Sequence, residues 1–165
     1  MFKRPFALTL ALLFICLCGC SKSTKAKPIL NNISFVAEID YGKEKFVCNT
    51  EISDDVIKLV VKEPIEIEDL CLTISQNGAE AELKGVRYTT DSDTLPKGSV
   101  IKILYNLIKD ISENKSADCD DENCKITGKS DDYKYDFIYS LSGLPISLEI
   151  EELDLKIEFK NVTVI

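Results

Sequence analysis

Residues 99–112 read SVIKILYNLIKDIS, the one segment of the chain with a clear helical period. Pro96 and Gly98 stand just ahead of it and Ser99 is placed to cap a first turn, which predicts a helix from Ser99 to about Ser112. At 100° per residue, Val100, Ile101, Ile103, Leu104, Leu107, Ile108 and Ile111 spread over an apolar arc of roughly 180° or more, with Tyr105 at its border; an ordinary surface helix shows a stripe of ~100°. Such a helix has to be covered on several sides, and a flat sheet covers one. A strongly curved sheet wrapped around it would complete the cover, and so would a bound apolar ligand.

The sequence on either side of the helix supplies strands. Ile33, Phe35, Ala37 and Ile39 alternate with Asn32, Ser34 and Glu38, the period of two that marks a strand with one buried face. Tyr41-Gly42 turns the chain into a partner strand carrying Phe46 and Cys48, and the continuous apolar run Val56 to Val61 suits a central strand. Leu70, Leu72 and Ile74 alternate next. Asn77-Gly78 is a two-residue hairpin signal, because both residues tolerate positive φ, and Ala79, Ala81 and Leu83 continue on the return strand. Beyond the helix, Tyr133, Tyr135, Phe137 and Tyr139 share a face. Ser142-Gly143-Leu144-Pro145 makes a turn, Ile146, Leu148 and Ile150 alternate after it, and Leu153, Leu155, Ile157 and Phe159 alternate again. Short turns between successive strands mean antiparallel neighbours. The reading is α+β, mostly β: a strongly curved antiparallel sheet, or half-barrel, of eight to ten strands wrapping one main helix. About 135 residues are available for it, which is one core and one domain, residues 32–165.

Three segments together carry a family resemblance: the hairpin ISFVAEIDYGKEKFVCNTEI (residues 33–52), the lone apolar helix, and the ending YKYDFIYSLSGLPISLEIEELDLKIEFKN (residues 133–161). In this order, with a run of short strands after the first hairpin, the mature chain resembles the LolA/LppX-like group of bacterial envelope proteins. That resemblance implies a half-open β-barrel closed by a helical lid, with lipid or lipoprotein acyl chains held in the concavity. No single binding residue transfers with it.

The amino terminus gives an address. Residues 1–19 place Lys3 and Arg4 ahead of an apolar run from Phe6 to Leu17, the pattern of a secretory signal peptide and shorter than the ~20 residues that span a bilayer. Leu17-Cys18-Gly19-Cys20 resembles the bacterial lipobox, which makes Cys20 the lipidated first residue of the mature chain. A diacylglyceryl thioether, with a further acyl chain such as palmitate on the new amine, supplies the two or more chains that stable anchoring needs. The expected location is the extracytoplasmic face of the cell membrane, with residues 20–31 as a Lys/Ser-rich tether. The signal contributes +2 and the tether +3 to a formal charge of −8, so Pro28 onward carries −13. An acidic body of that kind excludes nucleic acid as a partner, because phosphate binding needs a basic face.

The chain has no histidine, which removes Ser-His-Asp and Cys-His catalysis and His-based zinc sites. No other catalytic constellation stands out, so the expectation is a non-enzyme without cofactor or metal. Outside the cytoplasm, the four cysteines beyond the anchor read first as disulfides. Cys119 and Cys124 bracket a four-residue polar loop and can face each other across a hairpin; Cys48 with Cys71 follows by elimination, with buried free thiols as the other reading. Asp118, Asp120, Asp121 and Glu122 lack the central Gly and terminal Glu of an EF-hand loop and read as a solvated hairpin tip.

Two functions remain. In the first, the tethered domain binds a lipid or other apolar ligand between helix and sheet, with Phe35, Phe46, Ile101, Leu104, Tyr105, Ile108, Tyr135 and Phe137 as contacts. In the second, the core is fully packed and the domain is a non-catalytic module that meets an envelope protein. The difference lies in whether protein side chains fill the apolar arc of the helix.

Overall fold

A computed structural model describes residues 27–112, 116–130 and 132–165. The signal peptide and Cys20 lie outside the described residues. The strands are β1 (Ile33–Tyr41), β2 (Glu44–Ser53), β3 (Val56–Glu63), β4 (Cys71–Ser75), β5 (Gly78–Leu83), β6 (Val86–Thr90), β7 (Asp118–Cys119), β8 (Asn123–Ser130), β9 (Tyr133–Ser140), β10 (Pro145–Ile150) and β11 (Leu155–Val164), with helix α1 (Val100–Ser112) between β6 and β7. All eleven strands form one sheet in the order β6-β5-β4-β3-β2-β1-β11-β10-β9-β8-β7. The count exceeds the eight to ten expected from the sequence.

Every neighbouring pair is antiparallel, and two meanders, β1 to β6 and β7 to β11, meet at the β1–β11 seam. The sheet is open, with β6 and β7 as its edges. Helix α1 touches β3 and β4 on one side and β8 on the other. Laid flat, β4 and β8 would be about 34 Å apart at ~4.8 Å per strand, whereas a helix is only ~10 Å across. The sheet must therefore curl around the helix, as the width of the apolar arc demands.

Alternation fixes which face is inside. Ile33, Phe35, Ala37 and Ile39 of β1 are buried, as are Ile52 of β2, Ile57, Leu59 and Val61 of β3, and Leu155 and Ile157 of β11. Helix residues Ile101, Ile103, Leu104, Leu107 and Ile111 pack on them. Helix α1 opens as expected, with the Ser99 carbonyl accepting the Ile103 N–H at 2.9 Å. Glu158 sits on the outer face between Lys156 and Lys160, which hold its carboxyl down to about 2 through hydrogen bonds and charge.

Four details differ from the sequence reading. The β4–β5 turn is Gln76-Asn77 rather than Asn77-Gly78. Gly78 instead begins β5 opposite Ser75 with φ +139°, and a Cβ there would press on the Thr90 carbonyl oxygen, so a close approach demands the glycine. Ile146 points outward and is 38% exposed, because the β9–β10 pairing shifts register between Pro145 and Ser147; Pro145 takes the inward place and Leu148 and Ile150 keep theirs. Leu153 lies in a short 3-10 turn, Glu151–Leu153, rather than in a strand. Leu30, assigned to the tether by composition, is buried in the core, and the Ile29 N–H donates to the Gly143 carbonyl at 2.7 Å. The packed domain thus begins ahead of residue 32.

Candidate functional site

The apolar arc of α1 is filled along its middle and open at its two ends. In the middle, Leu104 and Leu107 meet Phe137, Leu148 and Phe159 around a residual void of only about 10 Å³. Near the amino-terminal end of α1, a cavity of about 180 Å³ lies between Val100, Ile101 and the inner faces of β1 to β4. Ile39, Phe46, Cys48, Leu59, Val61 and Leu72 form its strand walls, and Ile67 and Leu70 of the β3–β4 connection complete the apolar lining. Ser99 contributes the one hydroxyl of the lining. At the carboxy-terminal end, Tyr105 and Ile108 line a larger space of about 280 Å³ with Leu30, Ile52 and Ile57, but Asn31, Asp55, Gln76, Lys109 and Ser112 surround it with polar groups. The first space is lined almost entirely by apolar groups, and the lining of the second is mixed.

The eight residues read from the sequence as ligand contacts separate accordingly. Phe46 and Ile101 come together in the apolar cavity, and Tyr105 and Ile108 border the polar one. Leu104 and Phe137 lie in the packed middle. The Phe35 ring meets Phe159 edge-on at 5.0 Å, and Phe137 stacks on Tyr139 at 5.8 Å. Tyr135 lies over Gly128, its partner across β8–β9, and donates its hydroxyl to Asp110 Oδ2 at 2.7 Å. Burial, and then this hydrogen bond, push its phenol well above its ordinary value. These inward aromatic rings hold the helix on the sheet.

Ile39, Cys48, Leu59, Val61, Ile67, Leu70, Leu72 and Val100 were not singled out as contacts. Their signal was present as ordinary strand alternation, but nothing local shows that Leu70 and Leu72 face the first turn of α1. That meeting depends on the curl of the sheet.

The cysteines resolve in two ways. Cys119 and Cys124 stand opposite each other in the β7–β8 pairing and form a disulfide. In the loop between them, the Asp120 carboxylate accepts the backbone N–H groups of Asn123 and Glu122 at 2.7 and 2.8 Å, which lowers its pKa and marks it as a turn builder. Cys48 and Cys71 are free thiols, so the pairing expected by elimination is not formed. The reason is geometric. Cys48 is paired with inward Val61, while Cys71 is paired with Val60, the residue between buried Leu59 and Val61 that points outward. The two thiols sit on opposite faces of the sheet and two strands apart, roughly 10 Å, beyond the ~7 Å Cα separation a disulfide tolerates.

Burial pushes the Cys48 thiol up to about 11. In the folded protein at pH 8, Cys71 is expected to be alkylated within minutes and Cys48 only on unfolding. Peptide mapping after a short iodoacetamide pulse checks this, and equal labelling of both positions would contradict the assigned faces.

No family model matches the chain, and no curated protein matches it. Among solved structures, the crystal structure of a LolA superfamily protein from Nitrosomonas europaea is similar over 81% of this chain and 84% of that one, with 7% identity and a TM-score of 0.40. The likeness is too distant to transfer a residue, a ligand or a function.

Proposed function

We propose that this chain is a non-catalytic lipoprotein, lipidated at Cys20 and held on the extracytoplasmic face of the cell membrane, whose domain binds a lipid or other apolar ligand. The signal and lipobox pattern support the anchor. The observation that carries the binding reading is the cavity of about 180 Å³ at the head of α1, walled almost entirely by carbon. A polar ligand would lose its hydrogen bonds to water there with little in return. An apolar cavity near ~150 Å³ accepts a six-carbon ring, so this one has room for a ring or about six methylenes of a chain.

Burying six methylenes at ~0.8 kcal/mol each gives about 5 kcal/mol, which alone corresponds to sub-millimolar affinity. A ligand bound more tightly must continue beyond the cavity. The surface offers a track, because Leu72, Ala81 and Tyr88 are cross-strand neighbours on the inner face and lead from the cavity toward the β6 edge.

Among the described residues all strands and the helix lie between residues 33 and 164, so residues 21–165 retain every one of them. Native mass spectrometry of this form, secreted without the anchor and purified without detergent, is expected to show either a discrete added mass that organic extraction removes or uptake of an added alkyl-chain probe. Leu72→Trp fills the cavity from its β4 wall and is expected to weaken uptake at least tenfold with little change in melting temperature. A clean apo mass with no uptake at high micromolar probe would overturn the ligand reading and leave the protein-partner module. The anchor is tested separately: metabolic acyl labelling of the full chain should disappear in Cys20→Ala.

A further inference from the structure

The two edges of the sheet are built differently. β7 has two residues, one of them Asp118, and is pinned to β8 by the Cys119–Cys124 disulfide. Short, charged edges of that kind resist further pairing. β6 reads VRYTT over residues 86–90 without proline, bulge or inward charge, and Val86 and Tyr88 are 74% and 66% exposed.

We propose that β6 is the edge through which two copies of this chain pair, antiparallel, about a two-fold axis at Tyr88. The register follows from the hairpin. β5 and β6 are joined by the two-residue turn Lys84-Gly85, both at positive φ, with Leu83 opposite Val86. In such a hairpin the closing pair is hydrogen-bonded, and so is every second pair after it, Ala81 with Tyr88 and Ala79 with Thr90. The backbone N–H and C=O of Arg87 and Thr89 therefore point away from β5 and toward solvent. Centring the pair on Tyr88 sets Arg87 of one copy against Thr89 of the other, twice, and satisfies these four donors and acceptors.

Charge suits the same arrangement. Arg87 is the only charged residue of β6, it faces a threonine across the axis, and its guanidinium is already paired with Glu80 and Glu82 on its own outer face. Tyr88 meets Tyr88 on the inner face, which joins the apolar tracks of the two copies. The pairing is read from backbone geometry alone and does not rest on the ligand reading.

An interface of five residues a side falls well below the standard ~1,600 Å², so the dimer is weak. Sedimentation velocity of residues 21–165 at roughly 20 and 500 µM is expected to show a shift toward dimer at the higher concentration. Thr89→Pro removes an outward N–H without breaking a β5 bond, a position where edge strands accept proline. It is expected to abolish the shift with the melting temperature nearly unchanged.

Residues on the axis form a non-hydrogen-bonded pair with Cα atoms ~4.5 Å apart, within disulfide range. In a Cys71→Ser background, Tyr88→Cys should therefore form a linked dimer with oxidised glutathione at least tenfold faster than Thr89→Cys. Monomer at both concentrations, a Thr89→Pro protein that still associates, or equal cross-linking at positions 88 and 89 would each overturn the proposal.

Discussion

Replacing Leu104 with alanine is expected to destabilise the domain by about 3–4 kcal/mol, near the middle of the range for deleting a fully buried leucine side chain. The side chain is 2% exposed and lies where the helix is packed tightest, against Phe137, Leu148 and Phe159 with almost no spare volume. Neighbours held by strand pairing on both flanks cannot collapse into the space it leaves. For a domain of this size the loss corresponds to roughly 10 °C in melting temperature. Urea titration followed by circular dichroism should show a lower midpoint with an unchanged slope, the sign of lost stability without a change in unfolding cooperativity. A loss below about 1 kcal/mol would mean that the sheet does not enclose the middle of the helix.

Gly128→Ala is expected to cost about 2–3 kcal/mol, at the upper part of the overpacking range. A Cβ at residue 128 would overlap the Tyr135 ring, which is itself buried and tied to Asp110 of the helix. The ring cannot give way without breaking that hydrogen bond and lifting α1 from β8. Two readouts separate this from a simple loss of strand propensity. The Tyr135 phenol should return toward its ordinary value in a spectrophotometric alkaline titration, and Gly128→Ala combined with Tyr135→Ala should cost much less than the two single losses added together. Additive losses would show that glycine and tyrosine act independently.

The sequence revealed the helix because its apolar residues cover too much of its circumference for any other reading, and it revealed β1 because four apolar residues recur at every second position, with only Val36 breaking the polar side. β6 and β8 were not legible. β6 buries no face, so VRYTT carries no period, and β8 reads Cys124-Lys125-Ile126-Thr127-Gly128, where a glycine interrupts the alternation at the place Tyr135 occupies. The outward turn of Ile146 depends on a bulge, and a one-residue shift in pairing moves a side chain to the other face. The candidate site was legible in part. Phe46 and Ile101 could be named, but their meeting with Leu70 and Leu72 depends on how far the sheet curls, a property of the whole domain.

The place of β1 sets a schedule for synthesis. β1 is the first strand made and β11 the last, yet they are neighbours at the centre of the sheet, with Ile33 opposite Val164 and the Ile165 N–H donating to the Asn32 carbonyl. Each meander can form from local hairpins as it emerges, but the seam between them closes a loop of more than a hundred residues and has to wait for β11. Until then β1 stands as an unpaired edge. A nascent chain stalled or truncated before residue 155 thus exposes the inner strand of its own sheet, where an antiparallel neighbour from another chain can take the place reserved for β11.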